Sequence, residues 1–181
     1  MLFSRDYGVP LALVDGTSVT FWRTAAVSAL ASRYLSKEDS QSLVFFGTGN
    51  LSTYMISAHL SVRNLKRVTI VGRNTDKVAS LIAQMQKRHT DVEFVACEQS
   101  NVEKALKQAD IVSCATGSAT PLFKGEWLKP GVHVDLIGNH NNDRRECDTY
   151  AILNSSVYVD SRTNVLNEAG ELLIPISEGV F

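Results

Sequence analysis

The chain has 181 residues, 44% of them hydrophobic and 20% charged, with a formal net charge of −1. That is enough for one domain with a proper core and barely enough for two. The charge balance excludes the electrostatic footprint of a nucleic-acid or anionic-membrane binder, and no run approaches the ~18 apolar residues of a membrane span. Asp6 interrupts what a secretion signal would continue as an apolar core. Cys97, Cys114 and Cys147 are odd in number and lack CxxC spacing, so they read as reduced thiols of a cytoplasmic protein, and no metal site is expected.

In chain order, Gly8 to Thr20 reads as a β-hairpin whose turn is Asp15-Gly16. Two strands alone are marginal in water, so this hairpin expects a sheet that the rest of the sequence does not supply. Thr20 is placed to cap a helix running from Phe21 to about Ser36, with Ala25, Ala26, Ala29, Leu30 and Leu35 as a small-residue apolar face. Arg23 falls in the first turn of that helix, where the dipole opposes a cation. Such a misplacement marks either a functional residue or a side chain reaching for solvent, and position alone does not choose.

The organising stretch is Ser42–Val71. Ser42-Leu43-Val44-Phe45-Phe46 is an apolar run ending at Gly47-Thr48-Gly49-Asn50-Leu51-Ser52. A helical segment with Tyr54, Ile56, Ala58, His59 and Leu60 follows, then the β-branched run Arg67-Val68-Thr69-Ile70-Val71. This is the layout of a dinucleotide-binding βαβ unit. Gly47 permits the tight turn, Gly49 lets backbone amides approach a pyrophosphate, and the small Ser52 lets helix and strand pack closely. The helix N-terminus adds unpaired donors and partial positive charge. Alone, the glycine pattern is weak, because an ordinary strand–turn–helix uses glycines too. Its place between two strands is what makes it informative.

The end of the second strand chooses the nucleotide. Readers of the ribose 2′-OH place an acid there, about twenty residues past the glycine turn, whereas an arginine suits a 2′-phosphate. Here the residues are Gly72-Arg73-Asn74-Thr75, with Lys77 behind. NADP(H) is therefore preferred, with NAD(H) possible if Arg73 is only a solvated turn residue.

Beyond this unit the pattern continues: a helix over Asp76–Arg88, a strand over Val92–Ala96, a short helix over Asn101–Gln108 and a strand from Ile111 to Gly117. A fifth strand is expected at Val132–Gly138, a helical turn at Tyr150–Leu153 and a sixth strand at Ser156–Asp160. Alternating strands and helices imply an α/β fold with a doubly wound parallel sheet in three layers, carrying ligands at the carboxyl ends of its strands. The residues expected to face the cofactor are Gly47–Leu51, Gly72–Asn74, Ala115–Gly117 and Gly138–His140.

With these pieces in line the chain resembles the ornithine cyclodeaminase/mu-crystallin family over nearly its whole length. The resemblance is carried by Gly8-Val9-Pro10-Leu11-Ala12, Thr20-Phe21-Trp22-Arg23-Thr24-Ala25-Ala26 and the Gly47–Ser52 turn. It continues in Ala109-Asp110-Ile111-Val112, in Thr116 with Pro121-Leu122, in Arg145-Glu146-Cys147-Asp148 and in Glu168-Ala169-Gly170-Glu171-Leu172. It implies a Rossmann domain over residues 21–160, remnant strands of a substrate and dimerisation domain over 1–20, and a return segment toward that domain over 161–181. It further implies a middle portion of a longer homodimeric protein, whose substrate-side lysine and arginine lie upstream.

By the same resemblance Arg23 is similar to the arginine that clamps a substrate carboxylate, a bidentate pairing that gives both charge and orientation. Asn50 and Leu51 match the backbone donors to the pyrophosphate. Gly72-Arg73-Asn74 is similar to the NADP-binding turn of mu-crystallin and the imine reductases. Ala115, Thr116, Ile137 and Gly138 fall around the nicotinamide. One departure matters: the cyclodeaminases place a catalytic aspartate where this chain has His140, which puts ornithine cyclodeamination in doubt. His140 is suited to acid/base work near neutral pH, or is simply an exposed loop residue. The implied activity is NAD(P)H-dependent reduction of a cyclic ketimine related to Δ1-pyrroline-2-carboxylate, or amino-acid dehydrogenation, on a small imino- or amino-acid substrate. The alternatives are a non-catalytic NADPH-binding module, an ornithine cyclodeaminase despite His140, and a different Rossmann enzyme.

Overall fold

The computed structural model describes residues 1–181. At the N-terminus β1 (Leu2–Phe3) and β2 (Pro10–Ala12) pair antiparallel, Leu2 opposite Ala12 and Phe3 opposite Pro10. The hairpin expected over Gly8 to Thr20 is therefore displaced toward the N-terminus. Its reversal is made around Gly8, at φ +67°, with Ser4 N donating to Val9 O at 2.8 Å. Asp15-Gly16 does a different job. The Asp15 carboxylate accepts from Thr17 N at 3.1 Å and Ser18 N at 3.0 Å and so opens α1 (Gly16–Leu35). An Asp-Gly pair suits a turn or a helix start equally, and the two otherwise orphaned amides decide for the helix. Thr20 is thus inside α1 rather than its cap. Arg23 lies in the third turn, where the N-terminal dipole has faded, so its expected first-turn anomaly is not present.

The central sheet holds β3 (Ser42–Phe46), β4 (Arg67–Val71), β5 (Glu93–Cys97), β6 (Ile111–Cys114) and β7 (His133–Leu136), in spatial order β5-β4-β3-β6-β7. Every pairing is parallel. The helices are α2 (Ser52–Val62), α3 (Thr75–Arg88), α4 (Val102–Leu106), α5 (Thr149–Leu153), α6 (Arg162–Glu168) and α7 (Gly170–Ser177). Strand alternation sends Leu43 and Phe45 to one face, against Ala25, Ala29, Met55, Ile56 and Met85 of α1, α2 and α3. Val44 and Phe46 go to the other, against Val102, Leu106, Ile152 and Leu172 of α4, α5 and α7. This is the three-layer Rossmann-type α/β arrangement, with both sheet faces buried as parallel sheets require. No helix is long and apolar enough to cross a membrane.

One expected piece differs. Ser156–Asp160 forms no sixth strand and is exposed throughout, because the sheet ends at β7 and β propensity without a ladder fixes nothing. In the C-terminal segment, Ile174-Pro175-Ile176 belong to α7, whose Leu172 and Pro175 are buried. All three cysteines are free, as expected, and Cys114 is buried at the end of β6.

Two polar devices hold the frame. Arg63, after α2, fans its guanidinium over the carbonyls of Ser32, Arg33, Ser36 and Lys37 at 2.7–3.2 Å, stapling the C-terminal end of α1. Asp110, before β6, accepts from Gln41 N, Ser42 N and Ser42 Oγ at 2.8–2.9 Å and from Lys129 Nζ at 2.6 Å. Partial burial alone would raise its carboxyl, but Lys129 and the three other donors bring it down to about 2. A depressed carboxyl contributes stability that is present above its unfolded value and lost as pH falls through the folded one. Asp110→Asn is therefore expected to lower stability by about 1–2 kcal/mol at neutral pH, after allowance for solvent screening. Urea denaturation should find that gap closing as pH falls from about 4 toward 2. A gap unchanged by acid would contradict this role.

Candidate functional site

The order of the strands puts a topological switch at β3, with β4 on one side and β6 on the other. The glycine turn leaves the sheet at that point. Gly47 sits at φ +127°, and a Cβ there would lie 2.7 Å from Ala115 O, so this position accepts only glycine. Its N–H donates to Val71 O at 3.0 Å, tying the turn to the end of β4. Gly49 is the opposite case: a Cβ there would meet nothing within 4 Å. The space over the turn is not filled by the protein's own side chains.

The main-chain amides of Thr48, Gly49, Asn50 and Leu51 donate to no group of the chain. α2 begins without a side-chain cap and without an acid in its first turn. Ser52 is buried at the strand–helix junction, and its Oγ has no partner. A bare, uncapped helix start is costly unless something accepts from it, and converging amides with the positive end of a helix suit a phosphate. The residues present fit the pyrophosphate of a dinucleotide.

The neighbouring strand ends close around this turn. A Cβ on Gly72 would fall 2.8 Å from Thr48 Cγ2 and 2.8 Å from Val78 Cγ2, so Gly72 lets the Arg73 turn lie against the glycine turn. Arg73 is exposed there. Asn74 is committed to the fold, since it caps α3 by accepting from Lys77 N at 2.9 Å. Ala115 N donates to Phe46 O at 3.0 Å, and Ile137 N donates to Cys114 O at 3.1 Å. Thr116 and Gly138 touch: a Cβ on Gly138 would sit 2.0 Å from Thr116 O.

The other two residues singled out from sequence stand apart. His140 is exposed in the loop beyond β7. Arg23 is exposed on α1, lining a shallow hollow of about 470 Å³ with Ser18, Val19, Trp22 and Ala26. The preceding residues Phe21 and Trp22 pack on Tyr54, in the first turn of α2, with ring centroids 5.2 and 4.9 Å away. That contact anchors this part of α1 beside the helix whose N-terminus follows the glycine turn.

Sequence reasoning placed Glu146 in the Arg145–Asp148 motif but gave it no part in the site. Its side chain is fully buried, with Oε1 accepting from Thr116 N and Thr116 Oγ1 at 2.7 Å each and Oε2 accepting from Gly138 N at 2.8 Å. Burial pushes its carboxyl up, and although the Thr116 and Gly138 bonds pull it back, it stands at about 7. Also missed was a buried cluster on Asp135 of β7, which accepts from Ser113 Oγ of β6 at 2.8 Å and His59 Nε2 of α2 at 3.3 Å. Burial would raise the Asp135 carboxyl, but His59 and Ser113 hold it below its ordinary value.

A glycine turn with free amides at the switch point of a parallel sheet defines a Rossmann-type fold of the dinucleotide-binding layout. The chain belongs to the ornithine cyclodeaminase/mu-crystallin family, whose sequence profile matches residues 1–179. A Delta(1)-pyrroline-2-carboxylate reductase of Colwellia psychrerythraea is 57% identical over 181 residues, 100% of this chain and 57% of that protein. Among solved structures, the Thermococcus litoralis Delta(1)-pyrroline-2-carboxylate reductase in complex with NADH and L-proline superposes with a TM-score of 0.91 at 32% identity, over 99% of this chain and 55% of that one. A probable ornithine cyclodeaminase from Bordetella pertussis Tohama I gives a TM-score of 0.86 at 31% identity, over 95% and 54%. The chain thus spans little more than half the length of these relatives.

Proposed function

We propose that this chain is the dinucleotide-binding part of an NADPH-dependent reductase acting on a cyclic ketimine carboxylate of the Δ1-pyrroline-2-carboxylate type. The observation that carries the reading is the set of four free amides, Thr48 to Leu51, over a turn with open space above Gly49. The likeness to reductases of that name supplies the substrate class.

In this reading the pyrophosphate accepts from those amides, and Arg73 meets the 2′-phosphate as a planar donor where an NAD reader would carry an acid. Thr116, Ile137 and Gly138 flank the nicotinamide, which supplies the hydride when bound. Arg23 holds the substrate carboxylate and so fixes which face of the imine carbon is presented. His140, exposed in the loop beyond β7, is the chain's own residue for acid/base work. Exposed Phe3, Leu11, Leu13, Val19 and Trp22 support the homodimer that the family implies.

A second reading, NADH as the working cofactor, draws on the complex of the Thermococcus litoralis relative. The test is NADPH and NADH oxidation by the full-length protein with Δ1-pyrroline-2-carboxylate. Turnover with a clear NADPH preference is expected. Turnover with NADH alone would favour the second reading, and nucleotide binding without turnover of any cyclic imino acid would leave a binding module.

A further inference from the structure

We propose that Glu146 is a positioning residue for the nicotinamide half of the site, its buried carboxylate fixing the ends of β6 and β7 against one another. The inference rests on the dinucleotide reading above. Three donors converge on the two carboxylate oxygens, and they come from the two strand ends, Thr116 past β6 and Gly138 past β7. The fit is tight: a Cβ on Gly138 would sit 2.3 Å from Glu146 Oε1. Thr116 Oγ1, donating to Glu146, also accepts from Ser118 N at 3.2 Å, so the clamp extends into the loop that follows.

The backbone of Glu146 is itself held from two sides. Its N–H donates to Glu171 Oε1 of α7 at 2.9 Å, and its carbonyl accepts from Leu122 N at 2.8 Å. The next residue, Cys147, makes an isolated parallel bridge with Phe123. The C-terminal helix α7 thus reaches the site through one hydrogen bond.

A partly buried carboxylate also clamps the frame at Asp110, but there Lys129 pairs with it, and at Glu146 no cation does. The titratable groups facing Glu146 are Glu171 of α7, Cys114 of β6 and the adjacent Cys147, with Asp135 of β7 beside Cys114. None brings a positive charge. The neighbouring cation, Arg145, spends Nη1 on Thr149 Oγ1 at 2.8 Å. With its carboxyl raised from 4.5 to about 7, Glu146 contributes stability that is complete below the unfolded value and lost as pH rises through the folded one. The ionised form, which serves all three donors best, is the form the fold tolerates least. A group kept under that tension is characteristic of a working site.

The test titrates the chain with NADPH and with 2′-phospho-ADP-ribose, which lacks the nicotinamide, on both sides of pH 7. Glu146→Gln, which leaves the Gly138 amide facing an amide NH2 or breaks the Thr116 pair, is expected to weaken NADPH about 10- to 100-fold. Binding of 2′-phospho-ADP-ribose should change by less than about twofold on the same scale. The thermal midpoint of Glu146→Gln above pH 7 should equal or exceed the wild type's, the buried charge being gone. The ratio of wild-type to Glu146→Gln NADPH affinity should rise with pH through about 7, the titration of the 2′-phosphate being common to both. Glu171→Gln keeps an oxygen for the Glu146 amide but removes a like charge, so the inflection in that ratio should move to lower pH. Equal loss of both ligands, no loss of either, or a ratio insensitive to pH would each overturn the positioning role and leave the dinucleotide reading standing. Failure of the wild type to bind either nucleotide would overturn both.

Discussion

Gly49→Ala is expected to leave the fold intact and to weaken dinucleotide binding by at least about 100-fold, while Gly47→Ala unfolds the turn itself. The two glycines stand two residues apart and are needed for different reasons. At Gly49 a methyl group meets no protein atom within 4 Å and the backbone is unstrained, so the substitution should be neutral or stabilise by about 0.4–1 kcal/mol. What that methyl would occupy is the approach to the amides of Thr48 to Leu51, where the pyrophosphate is proposed to lie. At Gly47 the φ of +127° and the 2.7 Å approach to Ala115 O are faults that no side-chain movement relieves, since the obstacle is backbone. Strain and overpacking of that kind cost about 2–4 kcal/mol. Thermal melts and NADPH titrations of both variants separate the cases. A Gly49→Ala protein that binds NADPH like wild type would remove the pyrophosphate from this turn.

The second large effect is at Arg23. In the full-length protein Arg23→Ala should lower kcat/KM for the imino acid by about 10³-fold or more, the scale for stripping the partner from a desolvated carboxylate. Nucleotide affinity should hold within about twofold, a few tenths of a kcal/mol, because Arg23 lies on α1 in a hollow lined by neither the glycine turn nor the Arg73 turn. Arg23→Lys should recover only a small part, a point charge replacing a planar fork. Equal losses in turnover and nucleotide binding would reassign Arg23 to the cofactor or the fold. Exposed on α1, it has no structural partner to explain its presence by stability.

What was legible in the sequence were the features that chain-local chemistry decides. The β3–α2–β4 unit could be read because Gly47, Gly49 and Ser52 have fixed jobs at fixed spacing, and because Leu43–Phe46 is a continuous apolar run and Val68–Val71 a β-branched one. The start of α1 was misplaced because Asp15-Gly16 satisfies two local rules at once, and only the amides of Thr17 and Ser18 separate them. The sixth strand failed for the complementary reason: Val157 and Val159 have strand propensity, but pairing is decided by what lies beside them, and nothing does. Glu146 was legible only as part of the Arg145–Asp148 motif, with no role, because its partners Thr116, Gly138 and Glu171 come from three distant segments. The Asp135, His59 and Ser113 cluster was hidden in the same way, since a histidine on a helix gives no sign of a carboxylate two strands away. Glu146, Asp135 and His59 took their meaning from tertiary partners, whereas Gly47, Gly49 and Asp15 could be weighed from the chain beside them.

The proposed site seats a pyrophosphate on four backbone amides and a 2′-phosphate against Arg73. The most direct measurement is the affinity of the 181-residue chain for NADPH and NADH, repeated with Arg73→Ala. The wild type should bind NADPH about tenfold or more tightly than NADH, and Arg73→Ala should lose most of that preference while binding NADH unchanged. Equal or stronger binding of NADH by the wild type, with Arg73→Ala indifferent to both, would contradict the assignment of Arg73. Binding of neither would contradict the site.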